Sequence, residues 1–114
     1  MRLINLIAGL SGAWALMAMA GSHHLVSDAD GAQWVLLGGI VQLSAALAGL
    51  VIAGRSGRLN LVAGILILAG AALFAGEIDL HAFANITAFE MLAPVGGGLG
   101  ILGWIVLAFA KPKA

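Results

Sequence analysis

The sequence of 114 residues contains no cysteine and no tyrosine. Without cysteine, disulfide bonds, thiolate metal sites and cysteine nucleophiles are excluded. Charge is also scarce, because Asp, Glu, Lys and Arg make up 9% of the chain, against about 25% in an average soluble domain. The five basic residues form no patch that could follow a phosphate backbone, so nucleic-acid binding has no support. The remainder is strongly apolar, at 62% of all residues, which is typical of an integral membrane protein.

Four apolar runs approach the length of a membrane span. A hydrocarbon core of roughly 30 Å needs about 20 residues of helix. The runs predict spans at about residues 3–21, 34–53, 61–76 and 91–110 of a single domain covering 1–114. The third run is short, which indicates little tilt, a thinner local bilayer, or a helix that continues into the polar residues beyond it. The 17 glycines favour close packing of these helices.

The first run admits a second interpretation. Arg2, an apolar core and Ala18-Met19-Ala20 resemble a secretory signal with its cleavage site. We favour a retained span, in which Gly9, Gly12 and Ala8 offer a small-residue face for packing on neighbouring helices.

The charges separate by sign when the chain crosses the membrane four times. One side receives every basic residue, namely Arg2, Arg55, Arg58, Lys111 and Lys113. The other side receives every acid and every histidine, namely His23, His24, Asp28, Asp30, Glu77, Asp79, His81 and Glu90. The positive-inside rule assigns the basic side to the cytoplasm. The sequence therefore predicts an all-α, four-helix transmembrane bundle with both termini cytoplasmic, as expected for a multi-pass protein of a bacterial plasma (inner) membrane.

Candidate metal ligands lie on the outer side. Imidazole and carboxylate groups bind zinc, copper, nickel or iron, so a divalent transition metal is the candidate cofactor. Its candidate ligands are His23, His24, Glu77, Asp79 and His81. If residues 77–81 are helical, Glu77 and His81 share a face and Asp79 points away; if they are extended, all three line one side. Two alternatives remain open: these groups bind nothing, or the histidines titrate and sense pH.

Three motifs occur in order along nearly the whole chain. They are Gly21-Ser22-His23-His24-Leu25, then Phe74-Ala75-Gly76-Glu77-Ile78-Asp79, and last Pro94-Val95-Gly96-Gly97 with Gly103-Trp104. They resemble Gly-Ala-His-Gly-Leu, Phe-Ser-Gly-Ser-Leu-Tyr and Pro-x-Gly-Gly with Gly-Trp of a family of small four-helix membrane proteins. That family is domain of unknown function 423 (DUF423), related to the eukaryotic transmembrane protein 256 group.

The chain departs from the family pattern at polar positions. The family carries a histidine three positions after a glutamine in the second span, where this chain has Ala45 after Gln42. The serine and tyrosine of the third-span motif are Glu77 and Asp79 here. Of the polar residues in the family pattern, the histidine of the first motif is the one that this chain keeps, as His23. The resemblance implies a fold and a topology but no reaction, because the family has no established activity.

For function, an enzyme is the least supported class, because no serine has an evident base partner and the carboxylates lack a defined substrate cleft. The leading hypothesis is a non-catalytic accessory or scaffold protein of the lipid bilayer that packs against itself, as a homo-oligomer, or against larger membrane proteins. The alternative is an outer-face binder or transporter of a metal or other cation. Polar side chains within the spans are few, namely Ser11, Gln42 and Ser44, which favours binding over conduction.

Overall fold

The computed structural model describes residues 1–113 and consists of four helices. They are α1 (Arg2–Leu25), α2 (Ala29–Ala53), α3 (Arg58–Ala84) and α4 (Leu92–Phe109). Each helix is long and apolar enough to cross a membrane, and the described residues contain no strand. The predicted all-α fold of four membrane-spanning helices is therefore confirmed.

Local sequence signals account for several helix ends. The Asp28 carboxylate accepts hydrogen bonds from the backbone N–H groups of Asp30 (3.4 Å) and Gly31 (3.2 Å), which satisfies donors at the start of α2. Gly57 precedes α3 with a φ of 105°, a conformation that costs glycine little. Asn85 ends α3 in the left-handed region with a φ of 55°, where asparagine is tolerated better than most residues.

The longest helix is α3, with 27 residues. Of the three explanations left open for the short third apolar run, a helix that continues into the polar residues is the one observed. The helix passes through Glu77, Asp79 and His81 before it ends at Ala84. At about 1.5 Å per residue it is roughly 40 Å long, which exceeds a hydrocarbon core of about 30 Å.

The helices form an open bundle around α3. This helix contacts α1, α2 and α4, whereas within the described residues no Cα atom of α4 lies within 8 Å of one in α1 or α2. The main buried cluster joins α1, α2 and α3, and includes Ile4, Ala8, Ala45, Ile52 and Ile67. Among the helices, α3 is therefore the one whose backbone lies close to α4.

Glycines allow α3 and α4 to lie backbone to backbone. A Cβ atom added to Gly96 would lie 2.6 Å from the backbone nitrogen of Phe74, and one added to Gly70 would lie 2.6 Å from the carbonyl oxygen of Gly96. A Cβ atom at Gly103 would lie 2.8 Å from the backbone nitrogen of Ile67. Such close approach requires residues without side chains.

One end of the bundle, which we term the basic end, is stabilised by hydrogen bonds from both backbone and side-chain groups. The Ser56 N–H donates to the Lys113 carbonyl oxygen at 2.9 Å. The side-chain amide of Asn60 donates to the carbonyl oxygens of Lys111 (2.8 Å) and Ser56 (2.9 Å), and its own oxygen accepts from Arg55 at 3.4 Å. These bonds join the C-terminal segment to the turn between α2 and α3.

The start of α1 lies at the same end. A Cβ atom at Gly64 of α3 would lie 3.6 Å from Ile4 of α1, two residues after Arg2. All five lysines and arginines thus lie at the basic end. The segments 26–28 and 85–91, with the acids and histidines beside them, form the opposite end, which we term the acidic end.

Candidate functional site

The polar cluster that follows the third apolar run is divided between two cavities. Because residues 77–81 are helical, the helical alternative holds: Glu77 and His81 share a face, and Asp79 lies on another. Asp79 lines a cavity between α1 and α3, which we term the α1–α3 cavity. Glu77 and His81 line a separate cavity formed mainly by α2 and α3, which we term the α2–α3 cavity.

The α1–α3 cavity is an apolar groove that contains one carboxylate. Its volume is about 540 Å³, and its lining residues are Trp14, Met17, Ala18, Gly21, Leu25, Gly76, Asp79, Leu80, Phe83 and Ala84. Apart from Asp79 and the indole N–H of Trp14, the lining side chains offer no polar group. The cavity is therefore suited to a largely apolar occupant with one complementary polar group.

Asp79 is the buried acid of the molecule, with 6% of its surface exposed. Its Oδ2 accepts a hydrogen bond of 2.9 Å from Nε1 of Trp14, a residue 65 positions away. In the described part of the chain this indole is the sole donor to the Asp79 side chain. Burying a carboxylate without a counter-charge costs several kcal/mol by most measures, so such a group in a membrane protein is a functional candidate.

The contribution of Trp14 was missed by reasoning from the sequence. The signal that points to it is its depth, because membrane tryptophans concentrate near the two interfaces and Trp14 lies in the middle of α1. An indole N–H at that depth needs an acceptor. Sequence alone does not show that the acceptor lies on α3.

The α2–α3 cavity gathers four ionisable side chains. Its volume is about 420 Å³, and its lining residues are Asp28, Asp30, Gly31, Trp34, Phe74, Glu77, Ile78, His81, Ala82 and Ala93. Asp28 already caps α2 with both carboxylate oxygens. Glu77 and His81 accept or donate no side-chain hydrogen bond among the described residues, so their polar atoms remain available.

The two histidines of the first motif lie elsewhere. His23 and His24 are both exposed in the last turn of α1, with ring centroids 5.8 Å apart in an edge-to-face arrangement. Neither residue lines either cavity. A protonated histidine in this position interacts favourably with the carbonyl end of the helix.

The five predicted metal ligands are thus spread over three places. Asp79 is directed toward α1, Glu77 and His81 line the α2–α3 cavity, and the histidine pair is exposed. Across residues 1–113, no three His, Asp or Glu side chains are grouped closely enough to hold a metal ion. Metal binding by this set stays a prediction, and it requires either a rearranged acidic end or ligands from a second molecule.

The polar side chains of the second span differ in how they are satisfied. Ser44 donates to the carbonyl oxygen of Val41 at 2.8 Å, which is the bond to its own helix that serines commonly make. Gln42 is 6% exposed, and its Oε1 has no hydrogen-bond partner among the described residues.

These features define a small, multi-pass helical membrane protein whose acids and histidines gather at one end. The family described as "Protein of unknown function (DUF423)" matches residues 10–97, and the chain belongs to this family. The resemblance drawn from the three motifs is thereby confirmed. A UPF0382 membrane protein of Staphylococcus aureus (strain bovine RF122 / ET3-1) is 30% identical over 105 residues, which cover 92% of this chain and 83% of that protein. No solved structure matches the chain.

Proposed function

We propose that the protein is a non-catalytic accessory or scaffold component of the membrane, which packs against copies of itself or against larger membrane proteins. The observation that carries this proposal is a set of glycines with no packing role inside the chain. A Cβ atom at Gly9 of α1 or at Gly98 of α4 would meet nothing within 4 Å. Glycine in a helix costs roughly 1 kcal/mol relative to alanine. Close approach by a helix of another molecule would offset that cost.

The position of α4 at the edge of the bundle supports the same function. Among its described residues, Gly96 and Gly103 alone are buried, and both face α3. The exposed side of α4 that carries Gly98 is directed toward lipid or toward a neighbouring protein. Because helix association in lipid depends on close packing of small residues, this surface is suited to a partner helix.

The test compares two substitutions on α4 in the full-length protein. Gly98→Leu is expected to reduce oligomers and cross-linked partners seen by native mass spectrometry in mild detergent, because the new side chain blocks close approach. Ala108→Leu adds the same side chain at another exposed position of α4 and should leave association unchanged. A wild-type protein found only as a monomer, without cross-linked partners, contradicts the proposal.

We further propose that both termini lie in the cytoplasm and that the membrane is a bacterial inner membrane. The support is the collection of all lysines and arginines at the basic end, to which the positive-inside rule applies. This arrangement would place both cavities near the outer surface.

A second candidate function is cation binding at the outer face. Four ionisable side chains line the α2–α3 cavity, namely Asp28, Asp30, Glu77 and His81, so a rearrangement of the acidic end that brings three of them together would create a site. The chain should then bind zinc, copper or nickel and show a thermal shift that Glu77→Gln weakens. Glu90→Gln, an acid of the same end outside the cavity lining, is the matched control. Purified protein without metal and without any shift on adding these ions would contradict this function.

A further inference from the structure

We propose that the α1–α3 cavity binds a single-chain amphiphilic cation. The positive head group pairs with the carboxylate of Asp79, and the hydrocarbon tail lies along the apolar lining. This site is distinct from the α2–α3 cavity and from the open glycines of α1 and α4. Its test is therefore independent of the outcome for the accessory function.

The size and lining of the cavity match a small apolar ligand. Ligand pockets commonly enclose about 300–1,000 Å³, and this cavity encloses about 540 Å³. Met17, Leu80 and Phe83 supply apolar walls. At Gly76 an added Cβ atom would meet nothing within 4 Å, so the cavity is open at that point. A hydrocarbon chain can lie there without displacing a side chain.

The charge requirement comes from Asp79. The Trp14 indole N–H donates a hydrogen bond to Oδ2 of Asp79, and Oδ1 accepts none from the described residues. A neutral N–H group does not balance a carboxylate charge. No lysine, arginine or histidine lines the cavity, and the lysines and arginines lie at the opposite end of the bundle. A cation that pairs with the ionised carboxylate of Asp79 would therefore come from outside the chain.

The lack of basic groups in the cavity and the acids around it disfavour a phospholipid as the ligand. A phosphodiester needs a basic side chain or several donors, and the cavity lining supplies neither. The acids Asp28, Asp30, Glu77 and Glu90 lie at the same end of the molecule and repel a phosphate group. A ligand with a single, net positive charge avoids this repulsion. The ring of Trp14 also offers a face for a quaternary ammonium group.

The test follows the fluorescence of Trp14. The chain has three tryptophans, so Trp34→Phe and Trp104→Phe together leave Trp14 as the sole indole. This background is titrated with dodecyltrimethylammonium in zwitterionic nanodiscs, with empty nanodiscs to correct for partitioning. We expect a saturable change in emission. Asp79→Asn should weaken apparent affinity about tenfold or more, equivalent to about 1.4 kcal/mol, because a charge-assisted contact is lost.

The controls separate a specific site from a general attraction. Glu77→Gln removes the same charge two residues away on α3 but in the other cavity, and it should change affinity by less than about twofold. Dodecanol has the same tail without the charge and should give no saturable signal of comparable affinity. Gly76→Leu fills the cavity and should abolish the signal, which keeps the proposal testable if Asp79→Asn does not fold.

Three results would overturn the proposal. If Asp79→Asn and Glu77→Gln weaken the apparent affinity equally, the cation is held only by the general electrostatic attraction of the acidic end. Equal affinity for dodecanol would indicate a groove without charge selectivity. An unchanged titration for a folded Gly76→Leu protein would place the cation elsewhere.

Discussion

The pairing of Trp14 with Asp79 is the residue-scale feature that most changes the interpretation of the sequence. By sequence, Asp79 belongs to a rim of acids and histidines at the membrane surface. In the structure it is buried, and an indole from another helix donates to it at 2.9 Å. Asp79 is two residues from Glu77 and two from His81, which at about 100° per residue places it roughly 200° around the helix from both, so these three groups cannot act on one ligand within the chain.

The Trp14 hydrogen bond is expected to stabilise the fold. Trp14→Phe keeps most of the apolar ring but leaves the buried Asp79 carboxylate without its donor. The expected loss in the free energy of unfolding is about 1–3 kcal/mol, because a buried acceptor is left unsatisfied. The measurement is the unfolding midpoint of the full-length protein in mild detergent.

The matched control is Trp104→Phe. Trp104 is 48% exposed and Trp14 is 49% exposed, so the two substitutions remove similar amounts of surface. Trp104 makes no hydrogen bond among the described residues. Equal midpoints for the two variants would contradict the stabilising role of the indole N–H.

At the scale of elements, the junction between α3 and α4 depends on glycines more than on large side chains. Here substitution by alanine has opposite consequences at two positions of α4. A Cβ atom at Gly96 would lie 2.5 Å from the carbonyl oxygen of Gly70 and 2.6 Å from the Phe74 nitrogen. At Gly98 it would meet nothing within 4 Å.

We therefore expect Gly96→Ala to destabilise the protein by about 1–3 kcal/mol, because the two backbones must separate. Gly98→Ala should be neutral or stabilise it by up to about 1 kcal/mol, because alanine is the better helix former. Thermal unfolding of both variants in the same detergent checks this difference. Equal destabilisation by both would mean that α4 packs on α3 through another face.

The sequence predicted the number and type of the helices because apolar length and composition determine which segments can cross a membrane. It placed the end of the third span at residue 76, because hydropathy falls where the ionisable residues begin. The backbone does not follow hydropathy there, and α3 continues until Asn85 adopts a left-handed conformation.

The rotation of α1 against α3 could not be obtained from sequence periodicity. In lipid both the buried and the exposed faces of a helix are apolar, so the hydrophobic pattern does not show which face is inside. This is why Trp14 was not connected with Asp79. The α1–α3 cavity depends on that rotation, so it could not be predicted from the sequence either.

At the scale of the whole molecule, the separation of charge makes a prediction about orientation. The absence of cysteine from the natural chain allows single cysteines to be introduced without a background signal. Ser27 is exposed at the acidic end, and Ser56 is exposed at the basic end. In intact cells, a membrane-impermeant maleimide should label Ser27→Cys. Ser56→Cys should react only after the membrane is permeabilised, because the positive-inside rule predicts a cytoplasmic location for the basic end. The unaltered chain should give no label in either condition, and the reverse pattern would mean that the termini lie outside.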